Sequence, residues 1–236
     1  MTGCSGHPNY RKALRSLLSN PHVEATLAEE TLRRAFVTST DADTSNARFF
    51  EVVAEVISTT ESHAFTFSQA ICLGLSNLCH PLVQVRRNAF RVIEVMHSRT
   101  AVTRSISQYE TGIRSSSPGT YLHVYRLVSS TVAQEHAKQA TSVLTQVANW
   151  LPQISEGAHG RLSLLLLQSL EKWVANIDLM TDTSELSHDG AQVLCHLMAL
   201  TLRYVDAYAE QIQMLWSSLV SVPRDGNGHA TIRFLL

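Results

Sequence analysis

The sequence predicts an all-α fold, in which antiparallel helix pairs stack one after another as an α-solenoid. Three observations predict this class. Only 10 Gly and 6 Pro interrupt 236 residues, and the alternation of Val and Ile that marks β-strands is almost absent. Apolar residues recur at helical spacing along nearly the whole chain. The connections between these amphipathic segments are short, and the pattern leaves a compact all-α bundle open as the other architecture.

Short segments rich in helix-breaking residues separate the predicted helices. They read SNPH, DADTSN, CHP, SSSPG, LPQISEG and VPRDGNG. Between them, the apolar periodicity predicts helices over residues 10–19, 23–38, 45–60, 67–78, 82–97, 101–112, 119–135, 139–150, 160–177, 189–208, 210–221 and 228–236. We interpret residues 1–236 as a single helical-repeat region, with N-terminal helix pairs over residues 1–112 and C-terminal pairs over residues 119–236.

The segment NLCHPLVQVRRNAFRVIEVM, residues 77–96, contains the most regular unit. On a helix its apolar side chains fall within an arc of about 100°; they are Leu82, Val85, Ala89, Val92, Ile93 and Met96. A turn is expected at His80-Pro81, because a proline restricts the residue before it. An apolar helix, a proline turn and a VRxxA helix together resemble the second half of a HEAT repeat. Residues 67–97 are therefore predicted to form a HEAT-like unit of an armadillo-like solenoid.

Three arginines of this unit are candidate contact residues. Arg86 borders the apolar stripe, whereas Arg87 and Arg91 lie on the opposite face of the helix. In the HEAT pattern an arginine at the position of Arg86 bonds to adjacent turns or repeats. The resemblance therefore implies an inter-repeat tie, with partner or phosphate binding as the alternative. Arg87 and Arg91 are interpreted as a solvated face or a partner contact.

Charge and hydropathy argue against two classes of partner. The 19 basic and 20 acidic residues leave a net charge of −1, whereas phosphate-binding surfaces normally carry a basic excess, so we predict no nucleic-acid binding. The apolar run RLSLLLLQSL is about half of the ~20 residues that a membrane-spanning helix needs, so we predict no membrane insertion. Scattered cysteines predict a reduced, cytoplasmic chain, and Cys72 and Cys79 are predicted to share one helix.

Motifs for catalysis, cofactors and metals are missing from the sequence. It contains no Gly-rich phosphate loop, GxSxG, HExxH or paired CxxC segment, and its 11 histidines lack metal-ligand spacing. Glu29 and Glu30 are predicted to be solvated, and Trp150, Trp173 and Trp216 to pack in the core. The sequence therefore predicts a non-enzyme with no catalytic, cofactor-binding or metal site. An all-α enzyme stays open as the third class of function.

The loop IRSSSPGTY is a predicted regulatory segment. Ser117 precedes Pro118 and lies three residues after Arg114, a combination that suits a proline-directed or basophilic kinase. A phosphate on Ser117 would change the charge at the start of the following helix. An unmodified connecting loop is the plain alternative.

Three segments follow one another in the last third of the chain. LEKWVANIDL (residues 170–179) precedes LMALTLRYVDAYAEQIQMLWSSLVS (197–221), and NGHATIRFLL (227–236) follows. Their order and spacing resemble the central region of the Furry family of cell-morphogenesis proteins. The positions that carry this resemblance are Trp173, Asn176, Ile177, Leu179, Tyr204, Asp206, Trp216, Arg233 and Phe234.

The Furry resemblance implies a very large HEAT/armadillo-like scaffold that supports NDR-type kinases and their Mob adaptors in polarised growth and cell shape. It implies no catalytic residues. Because the linker MTDTSELSHDG is short and family members are many times longer, we expect a fragment of a compact, fungal-type member. The expected location is the cytoplasm, with enrichment at the cell cortex or growth sites. The alternative function is a helical-repeat module for other cargo, such as a transport receptor or a phosphatase scaffold.

Overall fold

The computed structural model describes residues 8–20, 22, 27, 29–31, 44–61, 63–153, 156–179 and 186–220. No β-strand occurs in these ranges, which confirms the all-α class. The helices are α1 (Pro8–Leu18), α2 (Thr44–Thr59), α3 (Phe67–Asn77), α4 (Val83–Ser98), α5 (Glu110–Ile113), α6 (Pro118–Glu135), α7 (Ala140–Trp150), α8 (Glu156–Val174) and α9 (His188–Val220). Short 3₁₀ turns lie at Ser107–Tyr109, Ala137–Gln139 and Leu151–Gln153.

One predicted helix is largely wrong. Residues 101–106 are not helical, and only Glu110–Ile113 forms an α-helix within the predicted span 101–112. Polar groups of residues 103 and 104 form hydrogen bonds with side chains of neighbouring helices. The Thr103 N–H and hydroxyl each donate to the Glu135 carboxylate at 2.8 Å, and the Arg104 carbonyl lies 2.7 Å from His97 Nε2.

The long C-terminal helix joins two predicted helices. α9 runs through residues 188–220, and its backbone departs from helical geometry at Tyr208, with φ −140° and ψ 47°. The kink therefore lies beside the predicted break at residue 209. Of the predicted helix 23–38, the described residues Leu27 and 29–31 are helical. The predicted helix 228–236 lies outside the described residues.

Two further expectations about α3 and α4 are corrected. α3 ends at Asn77, so Cys79 lies in the following turn and does not share the helix of Cys72. Leu82 is not part of the buried stripe, because it caps the start of α4 in an extended conformation and is 40% exposed. The other members of the predicted stripe are buried: Val85, Ala89, Val92, Ile93 and Met96.

The helices pack mainly against near neighbours in the chain. α1 lies on α2, both α2 and α3 lie on α4, and α5 connects α4 to α6. Farther along, α3 contacts α7, α6 contacts α8, and α7, α8 and α9 pack against one another. One continuous apolar cluster extends through these contacts from Leu18 on α1 to Leu219 on α9.

Candidate functional site: a buried arginine and a charged surface groove

Arg86 is fully buried between the turn that precedes α4 and the junction of α5 with the following loop. Its Nη1 donates to the carbonyls of His80 and Pro81, at 2.7 and 2.8 Å, in the turn that precedes α4. Its Nε donates to the Ile113 carbonyl at 2.8 Å, at the end of α5. Its Nη2 donates to the Ser115 carbonyl at 2.6 Å, in the loop before α6. One guanidinium thus joins the turn between α3 and α4 to the end of α5 and the loop before α6.

The environment of Arg86 lets the charge stay in the interior. The guanidinium carbon lies 3.9 Å from the centroid of the Tyr121 ring, within the range of a cation–π contact. Burial lowers the pKa of Arg86 from its ordinary value of 12.5, and the nearby Tyr121 acts in the opposite direction. An arginine nevertheless keeps its proton in proteins. Because the side chain is enclosed, Arg86 is unavailable for partner or phosphate contact in this conformation.

Arg87 and Arg91 lie on the exposed face of α4, where they line a groove of about 420 Å³ between α1, α2 and α4. We call this feature the α4 groove. Charged and amide side chains supply most of its polar lining: Arg11, Glu51, Glu55, Gln84, Arg87, Asn88, Arg91, Glu94 and Glu110. The structure thus separates the three candidate arginines into one buried residue and two groove residues.

The carboxylates of α2 in the groove are already paired with arginines of α1. Arg11 donates to Glu51 at 3.3 Å and to Glu55 at 3.1 Å, and Arg15 also donates to Glu55. The Arg15 and Arg11 guanidiniums hold the pKa of Glu55 below its ordinary value of 4.5, against an opposing effect of burial. This side of the groove is therefore close to electrically neutral.

The other two carboxylates of the groove also have local partners. Glu94 accepts a hydrogen bond from the Ser107 hydroxyl at 2.5 Å. Glu110 forms an ion pair with Arg114 at 3.3 Å, one turn further along the chain. Within the described ranges, the side chains of Arg87 and Arg91 form neither a hydrogen bond nor an ion pair.

Ser117 is exposed at the position that precedes α6, with Pro118 as the first helical residue. Its hydroxyl makes no capping hydrogen bond, and its carbonyl accepts from the N–H groups of Thr120 and Tyr121, at 3.1 Å each. Phosphorylation of Ser117 stays a prediction. Phosphopeptide mapping in cells, with Ser117→Ala as the control, tests it, and an unmodified residue would rule it out.

The environment of Glu29 differs from the one that the sequence predicts. Glu29 is not a solvated carboxylate: it is half-buried and accepts hydrogen bonds from Trp150, at 2.5 Å, from Gln146, at 3.1 Å, and from Gln69. It therefore links the segment before α2 to α3 and α7. As predicted, Trp150 is buried.

Two buried histidines form a contact that the sequence does not predict. His97 Nδ1 lies 2.9 Å from His136 Nε2, and both side chains are buried. The histidines are 39 positions apart, so no sequence spacing indicates their contact. No group of three or more His, Cys, Asp or Glu side chains that could hold a metal ion occurs in the part of the chain that the structure describes.

The residues of the Furry resemblance have mainly structural contacts. Four of them are buried: Trp173, Ile177, Leu179 and Tyr204. Asn176 Nδ2 donates to the Ala133 carbonyl at 3.2 Å, and the Tyr204 hydroxyl donates to the Leu151 carbonyl at 3.1 Å. Half-buried Trp216 donates to Thr201 Oγ1 at 2.9 Å, while Asp206 is exposed. Arg233 and Phe234 lie outside the described residues. These positions therefore define packing between α6, α7, α8 and α9.

The sequence is similar to cell polarity protein mor2 of Schizosaccharomyces pombe, a Furry-family protein. The two are 22% identical over 228 residues, which cover 96% of this chain. The resemblance to the Furry family is confirmed. It extends along nearly the whole chain, beyond the last third that carried it in the sequence analysis. The chain spans about a tenth of the length of mor2, with 10% of that protein covered.

Other comparisons give no match. No family model matches the sequence, and no solved structure matches it significantly. Among the described helices, none is both long and apolar enough to cross a membrane. The similarity to mor2 is therefore the basis for a functional proposal.

Proposed function

We propose that the chain is a segment of a non-enzymatic scaffold that serves cell polarity and morphogenesis. The single observation that carries this proposal is the similarity to cell polarity protein mor2 along 96% of the chain. A similarity over this length covers nearly all of the helices, so it does not depend on one isolated motif. The role of the longer protein is therefore the role that we assign to the segment.

The proposed architecture is a HEAT/armadillo-like α-solenoid. Contacts between near neighbours support it, since α3 packs on α4, α7 on α8, and α8 on α9. Repeat proteins bury their apolar faces by such stacking of successive units. The four hydrogen bonds from Arg86 to connecting segments support the same arrangement, because they join one unit to the next.

The proposed partners are an NDR-type kinase and a Mob adaptor, and the proposed location is the cytoplasm with enrichment at the cell cortex or growth sites. The Furry resemblance supports both proposals. A stacked helical framework also offers extended exposed surfaces of the kind that repeat proteins use for protein binding.

Co-precipitation from cells tests the partners. The full-length parent protein is tagged, and the recovered proteins are probed for an NDR-type kinase and a Mob adaptor. We expect at least one of them with the parent, and weaker recovery when the region corresponding to residues 1–236 is deleted. Repeated absence of both from the full-length parent would contradict the proposed pathway.

A further inference from the structure

We propose that the α4 groove binds an extended acidic segment of a partner protein, with carboxylates at alternating positions. This inference deepens the proposed scaffold function and rests on it. The recognising groups are the guanidiniums of Arg87 and Arg91, together with the side-chain amides of Gln84 and Asn88.

The charge balance of the groove favours an acidic occupant. Each carboxylate that lines it has its own partner, from α1 for the two on α2 and from nearby side chains for Glu94 and Glu110. Arg87 and Arg91 have none among the described residues. The Ser107 hydroxyl that binds Glu94 is neutral, so five arginines, with Arg15 and Arg114 included, face four carboxylates, and the groove carries a small positive excess. Arg87 and Arg91 are the guanidiniums available to an occupant, and a guanidinium binds a carboxylate through charge-assisted, often bidentate, hydrogen bonds.

The amides favour an extended main chain. Gln84 and Asn88 lie one turn apart on the same face of α4 as the two arginines, and both line the groove. Each side-chain amide offers both a donor and an acceptor. An extended segment presents free N–H and C=O groups, so its backbone can pair with these amides while its side chains pair with the arginines.

The spacing of the arginines specifies the spacing of the carboxylates. Arg87 and Arg91 are four residues apart on a helix, a separation of about 6 Å along the axis. Alternate residues of an extended chain lie on one side and about 6.6 Å apart. A segment of the form Glu-x-Glu therefore places one carboxylate at each guanidinium, whereas adjacent carboxylates point to opposite sides.

The surroundings disfavour a polyphosphate. A nucleic-acid strand or an anionic membrane would bring many charges over a protein with a net charge of −1. It would also bring many phosphates close to Glu94 and Glu110, which line the groove, and like charges repel. A short peptide with two or three carboxylates brings far fewer negative charges to these residues.

Fluorescence anisotropy with the 236-residue chain tests the proposal. The probe is the fluorescein-labelled peptide Gly-Glu-Ser-Glu-Ser-Glu-Gly. We expect saturable binding that weakens as salt rises, because exposed charge pairs are screened. The double variant R87Q/R91Q should bind about tenfold or more weakly, while the matched variant Arg126→Gln, which removes an exposed charge from α6, should bind as the unchanged chain does.

Two further probes examine the specificity. An isomeric peptide with three consecutive Glu residues should bind more weakly than the alternating one, since only part of its charge can face the groove. Phosphatidylserine vesicles and a DNA duplex should bind more weakly still. Equal binding by the R87Q/R91Q variant, no peptide binding, or a preference for vesicles or DNA would each overturn the proposal.

The two proposals fail in different experiments. A kinase or Mob adaptor that co-precipitates with the parent, while the peptide does not bind, would leave the scaffold function in place and remove the acidic-peptide site. A peptide that binds through Arg87 and Arg91, while neither protein co-precipitates, would keep the site and contradict the proposed pathway.

Discussion

Arg86 is a charged residue in a position of complete burial, where its four hydrogen bonds satisfy carbonyls in the turn before α4 and at the junction of α5 with the following loop. A planar guanidinium can supply this many donors in fixed directions, whereas a lysine ammonium cannot reproduce the geometry. The adjacent Arg87 has the same side chain and is exposed. The pair therefore offers a matched comparison between a structural and a surface arginine.

We predict that Arg86→Ala lowers the free energy of unfolding by about 3–5 kcal/mol, because it leaves buried carbonyls without donors and opens a cavity. Arg86→Lys should also be destabilising, since it keeps the charge but loses the planar donor set. Urea denaturation followed by circular dichroism measures both. The control Arg87→Ala should change stability by about 0.5 kcal/mol or less. Equal effects of the Arg86 and Arg87 variants would contradict the structural role.

The His97–His136 pair is a second buried polar contact. His97 Nε2 lies 2.7 Å from the Arg104 carbonyl, so that nitrogen carries the proton, and Nδ1 accepts from His136 Nε2–H. Burial, together with the neighbouring His97, lowers the pKa of His136 from 6.5 to about 4, although Glu135 opposes this effect. The folded state therefore favours neutral His136 more than the unfolded state does.

Stability should accordingly fall in acid. Neutral His136 contributes to the free energy of unfolding, and this contribution is complete above pH 6.5, the ordinary histidine pKa. It is lost as the pH falls toward about 4, the pKa of His136 in the folded state, and the total loss is about 3 kcal/mol. Urea unfolding between pH 8 and pH 4 measures it. His136→Gln keeps a donor without a titrating ring, so its stability should depend less on pH. The exposed His123→Gln serves as the control, and an unchanged profile for His136→Gln would contradict the account.

At the scale of elements, the crossing of α3 and α4 depends on a small residue. A Cβ at Gly74 would lie 2.5 Å from Ile93 Cγ1, closer than side-chain atoms normally approach. α3 and α4 thus meet where a glycine leaves room for Ile93. Thr66 and Gln69 form a capping box that fixes the start of α3, two turns before Gly74.

We predict that Gly74→Ala destabilises the protein by about 1–3 kcal/mol through this overpacking. Thermal and urea unfolding of the variant measure the loss. In an Ile93→Ala background the same change should cost less, because the opposing atom is gone. The control is Gly119→Ala, where the added methyl group would meet only Ser117 Oγ at 3.9 Å. A Gly74→Ala variant as stable as Gly119→Ala would show that the contact is unimportant.

The sequence predicted the helices well where local pattern determines them. The buried stripe of α4 follows from its periodicity, and the break beside Tyr208 coincides with a real kink. Residues 101–106 were mispredicted because Thr103 is bound by Glu135, 32 positions away. The Glu29 contact with Trp150 spans 121 positions. Such partners are determined by the packing of distant elements, so neither contact has a signature in local spacing.

The candidate site was predictable only in part. The resemblance to a HEAT repeat singled out the three arginines, and the helical wheel placed Arg87 and Arg91 together on one face. It could not show that Arg11 and Arg15 neutralise the facing carboxylates, since that pairing depends on the packing of α1 against α2. That the side chains of Arg87 and Arg91 have no partner among the described residues emerges only from the folded arrangement.

In the molecule as a whole, the described helices share one core. This core is continuous from α1 to α9, and most contacts join near neighbours. Exposed apolar side chains remain on α9, with Leu202 84% exposed and Met198 57% exposed. The similarity to mor2 covers almost all of this chain but only 10% of mor2.

The proposed role as a segment of a cell-polarity scaffold can be tested by a replacement in Schizosaccharomyces pombe. The region of mor2 that aligns with this chain is exchanged for residues 1–236, and the fraction of cells with polarised growth is measured beside a strain that lacks the region. We predict that the exchange preserves polarised growth where the deletion abolishes it. A chimaera that is produced at the normal level, yet leaves cells as unpolarised as the deletion does, would contradict the proposed role.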